Sequence, residues 1–253
     1  MWSILKARWR QGYRTATYPA RPPVLPDRFR GRPELTAKAP AAAFVPAAVV
    51  CPTGAFTAST GAPPVLDLGR CLFCGACAAA CPAGVHFTTE HRLAARRVED
   101  LRLTPGRTPP RAAPLEDALR RLFDRSLRLR QVCAGGCGAC EADSNVLGTP
   151  AYDMGRFGIQ FVASPRHADG LFVTGPVTEN MRLALRKTYD AVPNPKVVIA
   201  VGACAIGGGP YRDHPEVHNG AASVIPVDLF IPGCPPHPYT ILDGLLRFLG
   251  RIQ

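Results

Sequence analysis

Cys71, Cys74, Cys77 and Cys81, with Pro82 behind the last, stand at C-x2-C-x2-C-x3-C-P intervals. Three thiolates spaced this way wrap one corner of an iron–sulfur cube, while the fourth, carried off by its proline, belongs to the other cluster of a two-cluster protein. The missing ligand must come from elsewhere in the chain. CPTGAFTAST (Cys51 to Thr60) overlays CPAGVHFTTE (Cys81 to Glu90) at a shift of thirty residues, which marks an internally duplicated unit and supplies Cys51 as the mate. In that register Ala41, Phe44 and Ala47 occupy the positions of the other loop's first three cysteines, so one cluster site has been lost. The expected set is Cys51, Cys71, Cys74 and Cys77, with Cys81 left over in a small apolar core. Zinc is the alternative for CxxC pairs, but zinc loops usually supply two cysteines, a gap and then two further ligands.

Around these cysteines, FRGRPEL (Phe29 to Leu35) and LDLGRCLFCGACAAACP (Leu66 to Pro82) resemble the ferredoxin-like subunits of respiratory complex I and formate hydrogenlyase. Those subunits normally carry both clusters, and this chain departs from them by the lost loop.

Cys133, Cys137, Cys140, Cys204 and Cys234 are spread over a hundred residues, so the fold must gather them. Apolar segments at Leu129 to Val132, Ile159 to Ala163, Leu171 to Thr174, Val197 to Val201 and Val224 to Ile231 read as buried strands. Helical patterns at Glu179 to Tyr189 and Pro238 to Leu249 alternate with them. Alternation implies a parallel sheet with helices on its faces. Ligands of such sheets bind beyond the carboxyl ends of the strands, where every cysteine of this set falls. The flanking AGGCGAC, VGACAIGGG and IPGCPP are rich in glycine and proline, which lets backbone approach sulfur closely.

CAGGCGACE, YDMGRFGI, SPRHADGLFVTGPVT, VGACAIGGGPY and IPGCPP resemble the small subunit of membrane-bound, complex-I-related [NiFe] hydrogenases, from about Leu129 to the C-terminus. The resemblance implies a [4Fe-4S] cluster nearest the catalytic centre, held by Cys137, Cys140, Cys204 and Cys234, with Cys133 a neighbour. The homologous complex I subunit has two adjacent cysteines in its cluster loop; this chain has none. The same resemblance makes Glu141 a candidate proton relay, against which stands the plainer role of a carboxylate favoured in a helix's first turn. Arg166 and His167 invite two readings, a cation beside a reduced cluster or the start of a helix after Pro165. His86, His91, His214, His218 and His237 show no paired spacing and are assigned no metal.

Charge divides unequally: residues 1–130 hold 21 Lys/Arg against 9 Asp/Glu, and residues 131–253 hold 9 against 10. The arginines of the basic half are not grouped with aromatics on a reading helix, which sets nucleic acid below protein or lipid contact. Trp2, Leu5, Trp9 and Tyr13 share one helical face, with Lys6, Arg8, Arg10 and Arg14 elsewhere, a pattern suited to a membrane interface or a neighbouring subunit. YPARPPVLPDRFRGRP should then run extended as an arm across a partner. After a second proline-rich break at Arg102 to Pro114, Leu115, Leu119, Leu122 and Phe123 predict a helix packed between the domains. No apolar run approaches the ~20 residues that span a bilayer. No secretory signal or twin-arginine leader is read either, so a cytoplasmic protein, peripheral on the inner face of the cell membrane, is expected.

The expectation is an α/β chain, a flavodoxin-like parallel-sheet domain preceded by an α+β bacterial ferredoxin-like domain. Its parts are an amphipathic helix and arm (1–32), a ferredoxin-like domain with one cluster lost (33–95), a linker and helix (96–128) and a hydrogenase-small-subunit-like domain (129–253). Two [4Fe-4S] clusters would relay electrons to a Ni–Fe centre on a hydrogenase-type large subunit, beside other complex-I-like soluble and membrane subunits. The rival is a nickel-free, complex-I-like quinone oxidoreductase.

Overall fold

The computed structural model describes residues 2–252. Helix α1 (Trp2–Gln11) leads into a proline-rich arm and strand β1 (Pro33–Leu35). Helix α2 (Val45–Val49), the hairpin β2 (Phe56–Ser59) and β3 (Ala62–Asp67), helix α3 (Ala76–Ala80), β4 (Val85–Phe87) and β5 (Arg102–Leu103) complete a small N-terminal module. β1 pairs antiparallel with β4, and β2, β3 and β5 form an antiparallel sheet of three. Then follow α4 (Asp117–Phe123), β6 (Leu127–Cys133), α5 (Ala139–Val146), β7 (Ile159–Phe161), β8 (Gly170–Thr174), α6 (Glu179–Ala191), β9 (Val197–Val201), α7 (Ala203–Gly207), β10 (Leu229–Ile231) and α8 (Pro238–Phe248).

The five later strands are all parallel in the order β10-β9-β8-β6-β7. Counted from β6 this is 2-1-3-4-5, the flavodoxin-like winding. β8 and β9 are buried throughout, as strands covered on both faces must be. Successive side chains enter two different cores: Leu171, Val173, Val198 and Ala200 join Phe44, Phe56 and Leu66 of the N-terminal module. Phe172, Val197, Ile199 and Val201 face Ile241, Leu242, Leu245 and Leu246 of α8. The module therefore covers one face of the sheet and α8 the other. The edge of β10 is closed by a bridge from Ala95 to Phe230.

Four expectations are corrected. The apolar run Val224 to Ile231 is a strand only over Leu229–Ile231; Pro226 lacks a donor, and Ala221–Ser223 form a 3-10 turn ahead of it. The arm crosses its own chain: Tyr18 is buried, its hydroxyl donates to Asp243 Oδ1 at 2.7 Å, and Arg156 Nη2 donates to the Tyr18 carbonyl at 2.6 Å. Helix α4 lies on the face of the sheet that α8 covers, with Leu115 N donating to Phe248 O, Phe123 buried in that core and Leu122 exposed. Pro165–His167 form one 3-10 turn and no helix. Strand register puts Phe161 and Gly170, which flank that turn, level with Leu129, ~13 Å down the sheet from Cys133. Arg166 and His167 are thus at the end remote from the cysteines.

Candidate iron–sulfur centres

In the N-terminal module a cavity is lined by Cys51, Cys71, Cys74 and Cys77 with Thr53, Leu66, Gly75 and Phe87. Cys71 and Cys77 are buried and Cys74 is exposed. The loop that presents them bends tightly: Phe73 takes a left-handed φ of 53°, rare for a bulky residue, and Gly75 follows at 84°. This turns the Phe73 amide onto Cys71 Sγ at 3.3 Å, while the Phe56 amide reaches Cys51 Sγ at 3.4 Å. Burial, opposed by the Phe73 amide and reinforced by the charges of Cys77, Cys51 and Cys74, pushes the Cys71 thiol up to about 12. Cys77 is raised by burial and by Cys74 and Cys51. Four thiols lining one cavity in this way are a donor set that could hold a metal cluster.

Cys81 does not line that cavity; it is buried in the apolar core. A Cβ on Gly84 would lie 2.6 Å from Cys81 Sγ and 2.7 Å from Phe44 Cε1, so the three pack together. Phe44 is fully buried and stacks on Phe56, with ring centroids 6.2 Å apart. An aromatic side chain thus fills the region where the duplicated register has replaced three cysteines.

The second set gathers at the carboxyl end of the parallel sheet. Cys137 and Cys140 flank the start of α5, Cys204 lies in α7 just past β9, and Cys234 follows β10 in a loop with a cis Cys234–Pro235 bond. Burial and the charges of Cys204, Glu141, Cys234 and Cys137 drive the Cys140 thiol upward. Burial with Cys234 and Cys137 lifts Cys204 to about 11. Backbone closes on this nest: a Cβ on Gly202 would sit 2.5 Å from Cys140 Sγ, and one on Gly209 2.6 Å from Cys204 Sγ. The neighbouring turn is strained, since the β-branched, fully buried Val177 has φ 59°. Among the described residues no three His, Cys, Asp or Glu side chains close on a single point. Each thiolate of a cube binds a separate iron and needs no such convergence.

Cys133 ends β6 near Glu141, whose carboxylate accepts from the Thr174 hydroxyl. Burial opposes ionisation of Glu141, yet Cys133 and Thr174 outweigh it and hold the carboxyl below its usual range. Glu141 therefore ties α5 to β8 next to Cys140.

The two nests meet at one seam. Cys234 is raised by burial, by Cys137 and by Cys74 of the other module. A cleft of about 280 Å³ between them is walled by Phe73, Gly233, Pro235 and Pro236, with Arg28, Arg30 and Asp143 at its rim. Sequence reading did not single out Thr53, Arg70, Phe73 or Thr174; Gly202 falls within the VGACAIGGG run whose glycines it read as letting backbone approach sulfur.

A doubly wound parallel sheet with cysteines at its switch-point end, joined to a C-x2-C-x2-C loop, defines an iron–sulfur protein of the flavodoxin-like class. Residues 137–248 match the family described as NADH ubiquinone oxidoreductase, 20 Kd subunit, and residues 64–85 match a 4Fe-4S binding domain. The chain is 42% identical over 134 residues to the probable membrane-bound hydrogenase subunit mbhJ of Pyrococcus furiosus, covering 53% of this chain and 80% of that protein. It is 40% identical over 141 residues to formate hydrogenlyase subunit 7 of Escherichia coli, covering 56% of this chain and 55% of the relative. It is 42% identical over 115 residues to an NADH-quinone oxidoreductase subunit of Bacteroides thetaiotaomicron, covering 45% and 58%. The chain belongs to the 20 kDa subunit family of NADH ubiquinone oxidoreductase, whose members here are subunits of oxidoreductase complexes.

Proposed function

We propose that the chain is the electron-transfer subunit of a membrane-associated [NiFe] hydrogenase complex and holds two [4Fe-4S] clusters. Cys51, Cys71, Cys74 and Cys77 would bind one, and Cys137, Cys140, Cys204 and Cys234 the other. When bound, each cube accepts and releases one electron at a time. The protein's part is position: two nests of thiols, their burial, and amides and glycines that let backbone reach sulfur. The observation that supports the reading is the lining of one N-terminal cavity by Cys51, Cys71, Cys74 and Cys77, with Cys137, Cys140, Cys204 and Cys234 all lying at the carboxyl end of the parallel sheet.

No pair of cysteines remains to hold nickel and iron, since Cys81 packs in the core, which leaves Cys133 alone at the end of β6. The hydrogen chemistry therefore belongs to a hydrogenase-type large subunit. Cys137 and Cys234 are exposed, which suits a centre completed by a partner's surface. Glu141, held by the Thr174 hydroxyl next to Cys140, is the candidate for passing protons to or from that partner. No helix of the described residues is long and apolar enough to cross a membrane. Helix α1 buries nothing in this chain and exposes Trp2, Ile4, Leu5 and Trp9 beside Lys6, Arg8 and Arg10, which supports peripheral attachment at the inner membrane face or to a membrane subunit.

The rival is a complex-I-like quinone oxidoreductase without nickel, favoured by the similarity to the NADH-quinone oxidoreductase relative. Absence of adjacent cysteines at Cys137 to Cys140 weighs against it. Nickel analysis of the purified complex separates the two: nickel stoichiometric with this chain supports the hydrogenase, and iron without nickel supports the rival.

A further inference from the structure

The seam between the modules holds a cation that the thiol nests alone do not account for. Arg70 directly precedes Cys71. Its Nη2 donates to the Thr53 carbonyl at 2.8 Å, and Thr53 Oγ1 donates to the Arg70 carbonyl at 2.8 Å. This reciprocal pair ties the segment carrying Cys51 to the segment carrying Cys71. Thr53 Oγ1 is itself 4.0 Å from Cys51 Sγ.

The same side chain reaches the other module. A Cβ on Gly207 would lie 2.8 Å from Arg70 Cγ and 3.1 Å from the Gly69 carbonyl oxygen, so the stem of Arg70 lies directly on the end of α7, the helix that carries Cys204. Arg212 Nη1 fixes that end by donating to Gly207 O at 3.2 Å. Among the described residues the Nε of Arg70 is buried with no hydrogen-bond partner. A buried guanidinium N–H without an acceptor is costly unless a nearby anion offsets it. Asp67, whose carboxyl feels the charge of Arg70, is one such anion; a cube bound by four thiolates, those of Cys51 and Cys71 among them, would be a second, and its negative charge would grow by one on reduction.

We propose that Arg70 is the positioning residue of the N-terminal centre: it clamps the Cys51 and Cys71 segments together, braces them on the helix that carries Cys204, and favours the reduced state of the cluster by its fixed charge. This rests on the two-cluster reading above.

The test is a potentiometric titration of the anaerobically purified complex, followed by electron paramagnetic resonance at both centres, for wild type, Arg70→Gln, Arg70→Lys and Gly207→Ala. Wild type lacking an N-terminal signal would defeat the two-cluster reading itself, separately from the role of Arg70. With both signals present, Arg70→Gln is expected to weaken reduction of the N-terminal centre about tenfold in equilibrium constant, ~59 mV for one electron. The Cys137/Cys140/Cys204/Cys234 centre should titrate as in wild type, and Arg70→Lys, which keeps the charge, should hold the N-terminal potential. An unchanged potential in Arg70→Gln, or an equal shift in Arg70→Lys, would overturn the proposal. Should Arg70→Gln fail to assemble, Gly207→Ala carries the test from across the seam. It should shift the N-terminal centre, and an effect confined to the Cys204 centre would overturn the proposal.

Discussion

Gly202 lies against Cys140 so closely that a methyl group on its Cα would stand 2.5 Å from the sulfur, and its φ of 91° is one that side chains avoid. Gly202→Ala must therefore move either the strand end or the thiol. Its expected result is loss of the second cluster alone, with iron falling from ~8 to ~4 per chain while the N-terminal centre keeps its spectrum. Iron analysis together with electron paramagnetic resonance checks it.

Cys51 and Cys81 occupy equivalent places in a duplicated sequence and have opposite surroundings, one lining a thiol nest and the other packed on Phe44. Cys51→Ser should remove one cube. Cys81→Ala should keep the full iron content and lower stability by ~1 kcal/mol through the small void it leaves. Equal iron loss in both variants would show that the two assignments are wrong.

Tyr18 anchors the N-terminal arm to α8. Its hydroxyl donates to Asp243, which also pairs with Arg247 at 2.9 Å, and both partners are almost wholly buried. Burial, then the charge of Asp243, pushes the Tyr18 hydroxyl upward, so it stays a donor across the working pH range. Tyr18→Phe should cost ~1–2 kcal/mol. Asp243→Ala should cost ~3–5 kcal/mol by leaving Arg247 buried without its partner. Thermal unfolding midpoints of the whole chain should fall in that order.

His91 packs edge-on against Tyr18 and is buried, which holds its pKa below the ordinary value. The unfolded chain then binds a proton more readily than the folded one, so stability declines as pH drops below ~6.5 and is unaffected by this group above it. His91→Phe should flatten that slope between pH 7 and pH 5.5 in thermal unfolding; an unchanged slope would assign the acid sensitivity elsewhere.

Deleting residues 1–14 removes Trp2, Leu5, Trp9 and Tyr13, none of them buried in this chain, together with Lys6, Arg8, Arg10 and Arg14. The truncated chain should keep its iron and lose sedimentation with anionic vesicles or co-purification with membrane subunits. Undiminished attachment in both assays would count against an anchoring role.

Glu141→Gln keeps the size of the side chain and removes the charge that Cys133 and Thr174 stabilise. With both centres intact, hydrogen turnover should fall by ~10²-fold or more if the carboxylate relays protons. Full activity would leave it the role of tying α5 to β8.

The C-x2-C-x2-C loop and the parallel sheet were legible in the sequence, the loop because iron–sulfur ligation constrains residue type and spacing together, and the sheet because β8 and β9, buried on both faces, read as continuous apolar runs. Their surroundings were not. Tyr18 meets Asp243 across 225 positions, and Arg70 meets Gly207 only once the modules have docked, so no local pattern announces either contact. Val224 to Ile231 read as one strand because its apolar content hides Pro226 and Asp228. For Arg166 and His167 the sequence leaves both a cation beside a cluster and a helix start open, and only strand register puts their turn at the opposite end of the sheet.

Iron and acid-labile sulfide per chain, quantified with the spins that appear on reduction of anaerobically purified material, measure the two-nest account most directly. About eight irons and two distinct reducible centres are expected. Colourless protein, or about four irons that survive loss of either Cys51 or Cys140, would contradict it.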